Sequence, residues 1–368
     1  QRAFGLASPN RFARGLCTSR IPCYTLRGDD DNCVSGGSVV IGSTTIAKSA
    51  NGGLFENLPP LAAFGPFIAL ILACAFFASQ SERFLSGQNF SLILQQVMVV
   101  GVIAIGQTLI ILTAGIDLSC GMIMALGSIV MTKLAVDLGL NPYLAIACGL
   151  LVCVIFGYIN GALITFVKLP PFIVTLGTLN IAFAISQIYS EAQPVSDLPA
   201  PLLFFGNTFK IGQTAITYGV VLMLTLYLIT WFILRETAPG RHLYALGNNA
   251  EATRLMGINT RRQLITVYTL AGLIYGVAGL LLVARTGVGD PNAGQTDNLD
   301  SITAVVLGGT SLFGGRGMIL GTLIGALIVG VFRNGLTLMG VQSVYQILIT
   351  GILVILAVTT DQLSRRKG

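Results

Sequence analysis

Residues 309–316, GTSLFGGR, come nearest to a reactive motif. A phosphate-binding loop of the form G-x-x-x-x-G-K-[ST] cradles phosphates with backbone amides, a lysine and a hydroxyl. Here Gly315 and Arg316 stand where the Lys-Ser/Thr pair is required. No H-E-x-x-H pair, nucleophile elbow or carboxylate pair stands out, and the seven cysteines show no C-x-x-C spacing. The sequence therefore calls for no catalytic residue, no metal and no cofactor. What remains are four charges in or at the ends of apolar segments: Asp117, Lys133, Asp300 and Arg333. Charge in hydrocarbon is expensive, so it pairs, snorkels or lines a polar path. Lys133 lies near the outer end of its helix, four residues before Asp137, and is expected to snorkel. Arg333 is expected to snorkel outward or to pair with an acid such as Asp300. Asp117, in GIDLS, is expected to cap the next helix by accepting from the amide of Ser119 or Cys120.

The elements that must hold these residues follow from composition. Of 368 residues, 54% are hydrophobic and only 10% charged, with mean hydropathy +0.80. Soluble domains carry about 25% charged residues. The chain therefore reads as an all-α polytopic membrane protein, and its 44 glycines suit close helix packing in lipid. About ten apolar segments approach the ~20 residues of a spanning helix. They centre on 61–79, 95–113, 119–136, 143–167, 171–190, 216–234, 263–285, 299–313, 318–338 and 344–360. The eighth is short and broken by Gly308-Gly309, and is either a short tilted span or a discontinuous helix of the kind that lines a polar path. Pro170-Pro171 should end one helix and start the next.

Residues 1–55 stand apart. They are rich in Arg, Ser, Gly and Thr and show no helical period. We read them as a disordered or spurious extension and 56–368 as the membrane domain. Lys and Arg set the orientation. With an even number of spans, Lys168, Arg235, Arg241, Arg254, Arg261, Arg262, Arg316 and 365–367 share one side. The other side holds Arg83 and Lys210 beside Glu82, Asp137, Glu191, Asp197, Asp290 and Asp297. Both termini and the loop 235–262 are then cytoplasmic, in contact with lipid headgroups and a partner rather than nucleic acid.

That loop, RETAPGRHLYALGNNAEATRLMGINTRR, is the strongest local signal. Glu251-Ala252, with Gly257 six residues after Glu251, reads as a short helix and a glycine turn. Its small alanines can seat in a groove, and Arg254, Arg261 and Arg262 can reach a partner's acids. The pattern Glu-Ala-x-x-x-x-Gly is similar to the coupling segment of ABC importer permeases. The stretches 106–130, 160–195, 240–262 and 301–341 resemble, in order, the ribose-, xylose- and fructose-type permeases of that class.

This resemblance implies the membrane subunit of a monosaccharide importer in the bacterial inner membrane, working by alternating access. It implies a homodimer, cytoplasmic ATPase subunits on the coupling loops, and a periplasmic sugar-binding protein outside. Glu251, Ala252, Arg254 and Gly257 would form the coupling site. Gln107, Asp117, Ser119, Asn160 and Asn334 are candidates for the translocation path, with helix–helix hydrogen bonding as the commoner role. Thr253 departs from the usual second alanine. Fructose, ribose and xylose remain open, with fructose favoured. A branched-chain amino acid permease is the alternative, and an ion-coupled secondary transporter a further one.

Overall fold

The computed structural model describes residues 61–367, Gln213 excepted; the 1–55 extension lies outside the described residues. Thirteen α-helices occur among them. They are α1 (Leu61–Gln80), α2 (Gly87–Leu112), α3 (Cys120–Val136), α4 (Pro142–Ala162), α5 (Pro171–Ser190), α6 (Ala200–Leu203) and α7 (Tyr218–Glu236). Then follow α8 (Ala238–Asn248), α9 (Ala250–Leu255), α10 (Thr260–Thr286), α11 (Asp297–Leu307), α12 (Ile319–Leu338) and α13 (Ser343–Lys367). By length and composition, six helical stretches can cross a membrane. The chain is a polytopic helical membrane protein.

Local chemistry sets the helix ends. Pro142 and Pro171 open α4 and α5 from their first turns, where a missing N–H costs nothing. A π-helical turn, Leu163–Val167, finishes α4, and Lys168 stops it in the left-handed region at φ 62°. The Pro170-Pro171 boundary is thus where the sequence places it. One expectation needs correction. Between α6 and α7 the chain forms a small antiparallel hairpin, β1 (Thr208–Ile211) with β2 (Thr214–Thr217). Its β-branched residues suit a pleated strand, and the hydroxyl of Ser91 on α2 donates to the Ala215 carbonyl. The all-α reading therefore holds for the membrane helices and fails at this hairpin, and the segment read from 216 becomes a helix only at Tyr218.

Helices α2 and α10 form the centre. Their most apolar stretches are 83% and 78% buried, against 28–33% for α4, α5 and α7. Residues Val97–Leu112 are buried on every face of α2, which requires neighbours all round. Helix α4 reaches α10 through bare backbone. A Cβ on Gly157 would lie 2.3 Å from the Tyr268 carbonyl, and one on Gly272 2.4 Å from the Cys153 carbonyl. Small residues at such crossings let helices pack without a hydrophobic driving force.

Helices α3 and α11 are too short for the ~30 Å hydrocarbon layer. With 17 and 11 residues, α3 and α11 extend about 25 and 16 Å at 1.5 Å per residue. Each adjoins an unwound stretch, 113–119 before α3 and 308–318 after α11. Non-helical backbone at membrane depth survives only inside protein or along a cavity.

Candidate functional site

The island 235–262 folds as three consecutive helical pieces, each with its own side-chain cap. Thr237 accepts from the Gly240 amide at 3.4 Å, Asn249 from Ala252 at 2.9 Å and Asn259 from Arg262 at 3.0 Å. These bonds satisfy first-turn N–H groups that a helix cannot satisfy itself. Helix α9 carries the predicted motif. Glu251 and Arg254 are both exposed and paired at 2.6 Å across one turn. Thr253, the departure from alanine, is 1% exposed and turns its hydroxyl to the Asn249 carbonyl at 2.8 Å. A second alanine would have no such bond. Gly257 makes the closing turn at φ 82°.

Sequence reasoning missed two residues here. Leu255 is 78% exposed and Met256 67%. In a chain this apolar, a Leu-Met pair carries no signal by itself. It becomes conspicuous only when the structure sets both beside an exposed ion pair on a polar loop. Exposed apolar surface rimmed by polar residues suits a contact with protein or membrane.

Behind α9 the island meets the two unwound stretches through backbone atoms. A Cβ on Gly247 would fall 1.8 Å from the Leu112 carbonyl oxygen and 2.6 Å from the Gly315 nitrogen. That nitrogen donates to the same Leu112 carbonyl at 3.0 Å. One turn earlier in α8, Tyr244 donates to the Gly317 carbonyl at 3.0 Å. Burial raises the Tyr244 phenol above its ordinary value, so it stays a donor at neutral pH. The end of α2, helix α8 and the 308–318 stretch are thereby fastened at one point.

From Leu112 the chain turns back through Ala114, at φ 62°, into the bundle. Gln107 on α2 donates to the Asp117 carbonyl at 2.7 Å. The Asp117 carboxylate accepts from the Ser119 amide at 2.8 Å and the Ser119 hydroxyl at 2.5 Å. Asn160 of α4 donates to that hydroxyl at 3.0 Å. Tyr275 of α10 donates to the Gln107 side-chain oxygen at 3.4 Å. Four of the five predicted path residues, Gln107, Asp117, Ser119 and Asn160, thus share one network and are at most 1% exposed. Asp117 receives the Ser119 amide, as GIDLS suggests, although it stands two residues ahead of the helix cap. The fifth does not join. Asn334 lies on α12, 12 residues beyond Thr322, the residue that bonds Thr108 beside the network. That is about 18 Å along the axis.

Asp117→Ala should destabilise the detergent-solubilised protein. It orphans the Ser119 amide and leaves a void at the unwound turn. Buried unsatisfied groups cost about 1–3 kcal/mol each, so a thermal midpoint several degrees lower is expected, with Asp117→Asn closer to wild type. Equal midpoints for Ala and wild type would show that the network does not brace the turn.

Comparison with known proteins identifies the family. The family described as branched-chain amino acid transport system/permease component matches residues 89–358. The chain is 49% identical to a fructose import permease of Rhizobium meliloti, covering 82% of this chain and 85% of that one. It is 41% identical to a ribose import permease of Bacillus subtilis, over 81% and 92% of the two chains. A D-allose transport permease of Escherichia coli is 38% identical, over 82% and 91%. The chain therefore belongs to this family of ABC importer permeases, among its monosaccharide permeases, and is a multi-pass protein of the bacterial inner membrane.

Proposed function

We propose that the chain forms the gated membrane path of a monosaccharide importer as a homodimer, and that ATP is hydrolysed by cytoplasmic partners seated on α9. The observation that carries this reading is the Leu255–Met256 pair, exposed beside Glu251 and Arg254 on a capped helix. A stand-alone transporter has no use for such a surface. An ion-coupled carrier also needs buried charge to hold its ion, and the sequence offers few candidates.

The topology we infer has ten membrane segments with both ends in the cytoplasm. Phe77, near the end of α1, packs at 5.4 Å on Phe332, near the end of α12. Leu70, earlier in α1, lines one cavity with Leu323, earlier in α12, so the two helices run in the same direction and α1 starts where α12 starts, at the end of the bundle that holds the island. Helix α13 turns back from the far end towards it. Displacement of α9 by the ATPases would reach the stretches 113–119 and 308–318 through the Gly247 junction and switch the path between outward and inward access. A periplasmic binding protein would deliver the sugar at the far end. The likeness to the fructose permease favours fructose over ribose or allose.

Reconstitution tests the reading. Proteoliposomes containing this subunit, its ATPase and its binding protein should accumulate labelled fructose only with ATP inside the ATPase compartment. Uptake driven by an ion gradient alone would overturn it. Uptake of labelled leucine in place of fructose would establish the amino acid reading that the family description carries.

A further inference from the structure

Few charges enter this bundle, yet four gather at the end opposite the island. Asp297 and Asp300 open α11, Arg333 lies five residues before the end of α12, and Arg285 lies one residue before the end of α10. Two cavities adjoin there, of about 390 and 100 Å³, and Arg333 and Thr296 line both. The larger also exposes Asp290, Gln295 and Asp297. The smaller is backed by Phe332 and Leu336. Small-molecule sites run from about 300 Å³ upward, with a few convergent polar groups, and the larger cavity has that size.

We propose that this mouth is a transit site for one monosaccharide, with Asp297, Gln295 and Arg333 as its hydrogen-bonding groups. The proposal rests on the sugar-permease reading and adds to it where the cargo is held. Its chemistry follows from the residues. Arg333 approaches Asp300 at 3.4 Å, a long contact, while its side chain stays 49% exposed and that of Asp300 only 9%. A guanidinium has five N–H donors. One points at Asp300, which fixes the head and turns the remainder towards the opening. Asp297 has no ion pair among the described residues within 4 Å, and its carboxylate faces the same cavity. Arg285 and Arg333 against Asp290, Asp297 and Asp300 leave an excess of one negative charge, and acceptors and donors interleave around the mouth. Alternating donors and acceptors of that kind suit a neutral polyol, whose hydroxyls both give and accept. Helix α11 breaks at Gly308, so a cargo bound at its first turn sits at the head of a discontinuous helix.

The test uses the reconstituted importer with its ATPase and binding protein. Initial uptake of labelled fructose and ribose is measured together with binding-protein-stimulated ATP hydrolysis. Asp297→Asn and Arg333→Gln are expected to lower sugar moved per ATP by about tenfold and to change the fructose-to-ribose ratio severalfold. Stimulated hydrolysis should stay within about twofold, and Arg333→Lys should recover part of the uptake. Uptake and hydrolysis falling in parallel, with the sugar ratio fixed, would make the cluster a brace and overturn the proposal. So would unchanged uptake in Asp297→Asn, which breaks no ion pair. Absence of monosaccharide uptake by the unmodified importer would instead remove the reading beneath it.

Discussion

Membranes carrying Leu255→Asp with Met256→Asp are expected to hold normal amounts of the subunit and to lose ATP-driven sugar uptake. Both side chains already face water, so charge there does not disturb folding. In a dry interface the same carboxylates are uncompensated. Central contact residues are worth about 2 kcal/mol or more each, so the pair should weaken ATPase association at least 100-fold. Co-purification of the ATPase from detergent measures this directly. Glu251→Lys should act in the same direction, because it replaces the 2.6 Å pair with Arg254 by two like charges. Full co-purification and full uptake by the double variant would remove α9 as the docking element.

The second large effect is expected at Gly247. Both atoms that a Cβ there would strike, the Leu112 oxygen at 1.8 Å and the Gly315 nitrogen at 2.6 Å, belong to backbone. No rotamer change can relieve the clash, and overpacking costs about 1–3 kcal/mol or more. Gly247→Leu should separate α8 from α2 and the 308–318 stretch. Uptake should fall more than about tenfold while the ATPase still binds, since α9 lies on the outer side of the island. Gly65→Leu, whose Cβ meets nothing within 4 Å, serves as the control and should behave as wild type. If Gly247→Leu transports normally, the junction transmits nothing. If it aggregates on size exclusion, Gly247→Ala gives the milder readout of the same contact.

Much of the scaffold was legible because hydrocarbon imposes a length and a composition. The segment read at 171–190 is α5, and 318–338 differs from α12 by one residue. The Arg333–Asp300 pair was legible as one of two outcomes for that arginine, since charges in apolar segments have few places to go, whereas the ion pair of Lys133 with Asp137 was not read beyond snorkelling. The break at 113–119 and its Asp117–Ser119 bond were legible too, but the direction of the turn was not. The turn passes through a left-handed alanine, Ala114, and is fastened by a bond from Gln107 to the Asp117 carbonyl. The network gathers Asn160 and Tyr275 from helices distant in sequence, and hydropathy ranks neighbours along a helix rather than across a bundle. Asn334 looked equivalent to Asn160 for the same reason. The hairpin escaped because its apolar residues merged with those of α7.

The three caps at Thr237, Asn249 and Asn259 have a consequence for the energetics of assembly. A six-residue helix such as α9 is far below the ~12–15 residues at which an isolated helix becomes even marginal in water. Here Asn249, the buried Thr253 and the Gly257 turn hold it in shape before any partner arrives. The conformational entropy of forming the surface is therefore lost when the subunit folds, not when the complex forms. Association should then show the heat-capacity change of surface burial alone, without the larger signature of coupled folding. In the docking proposed above, the ATPase would meet a finished shape, and its affinity would report contact quality rather than the disorder of a loop.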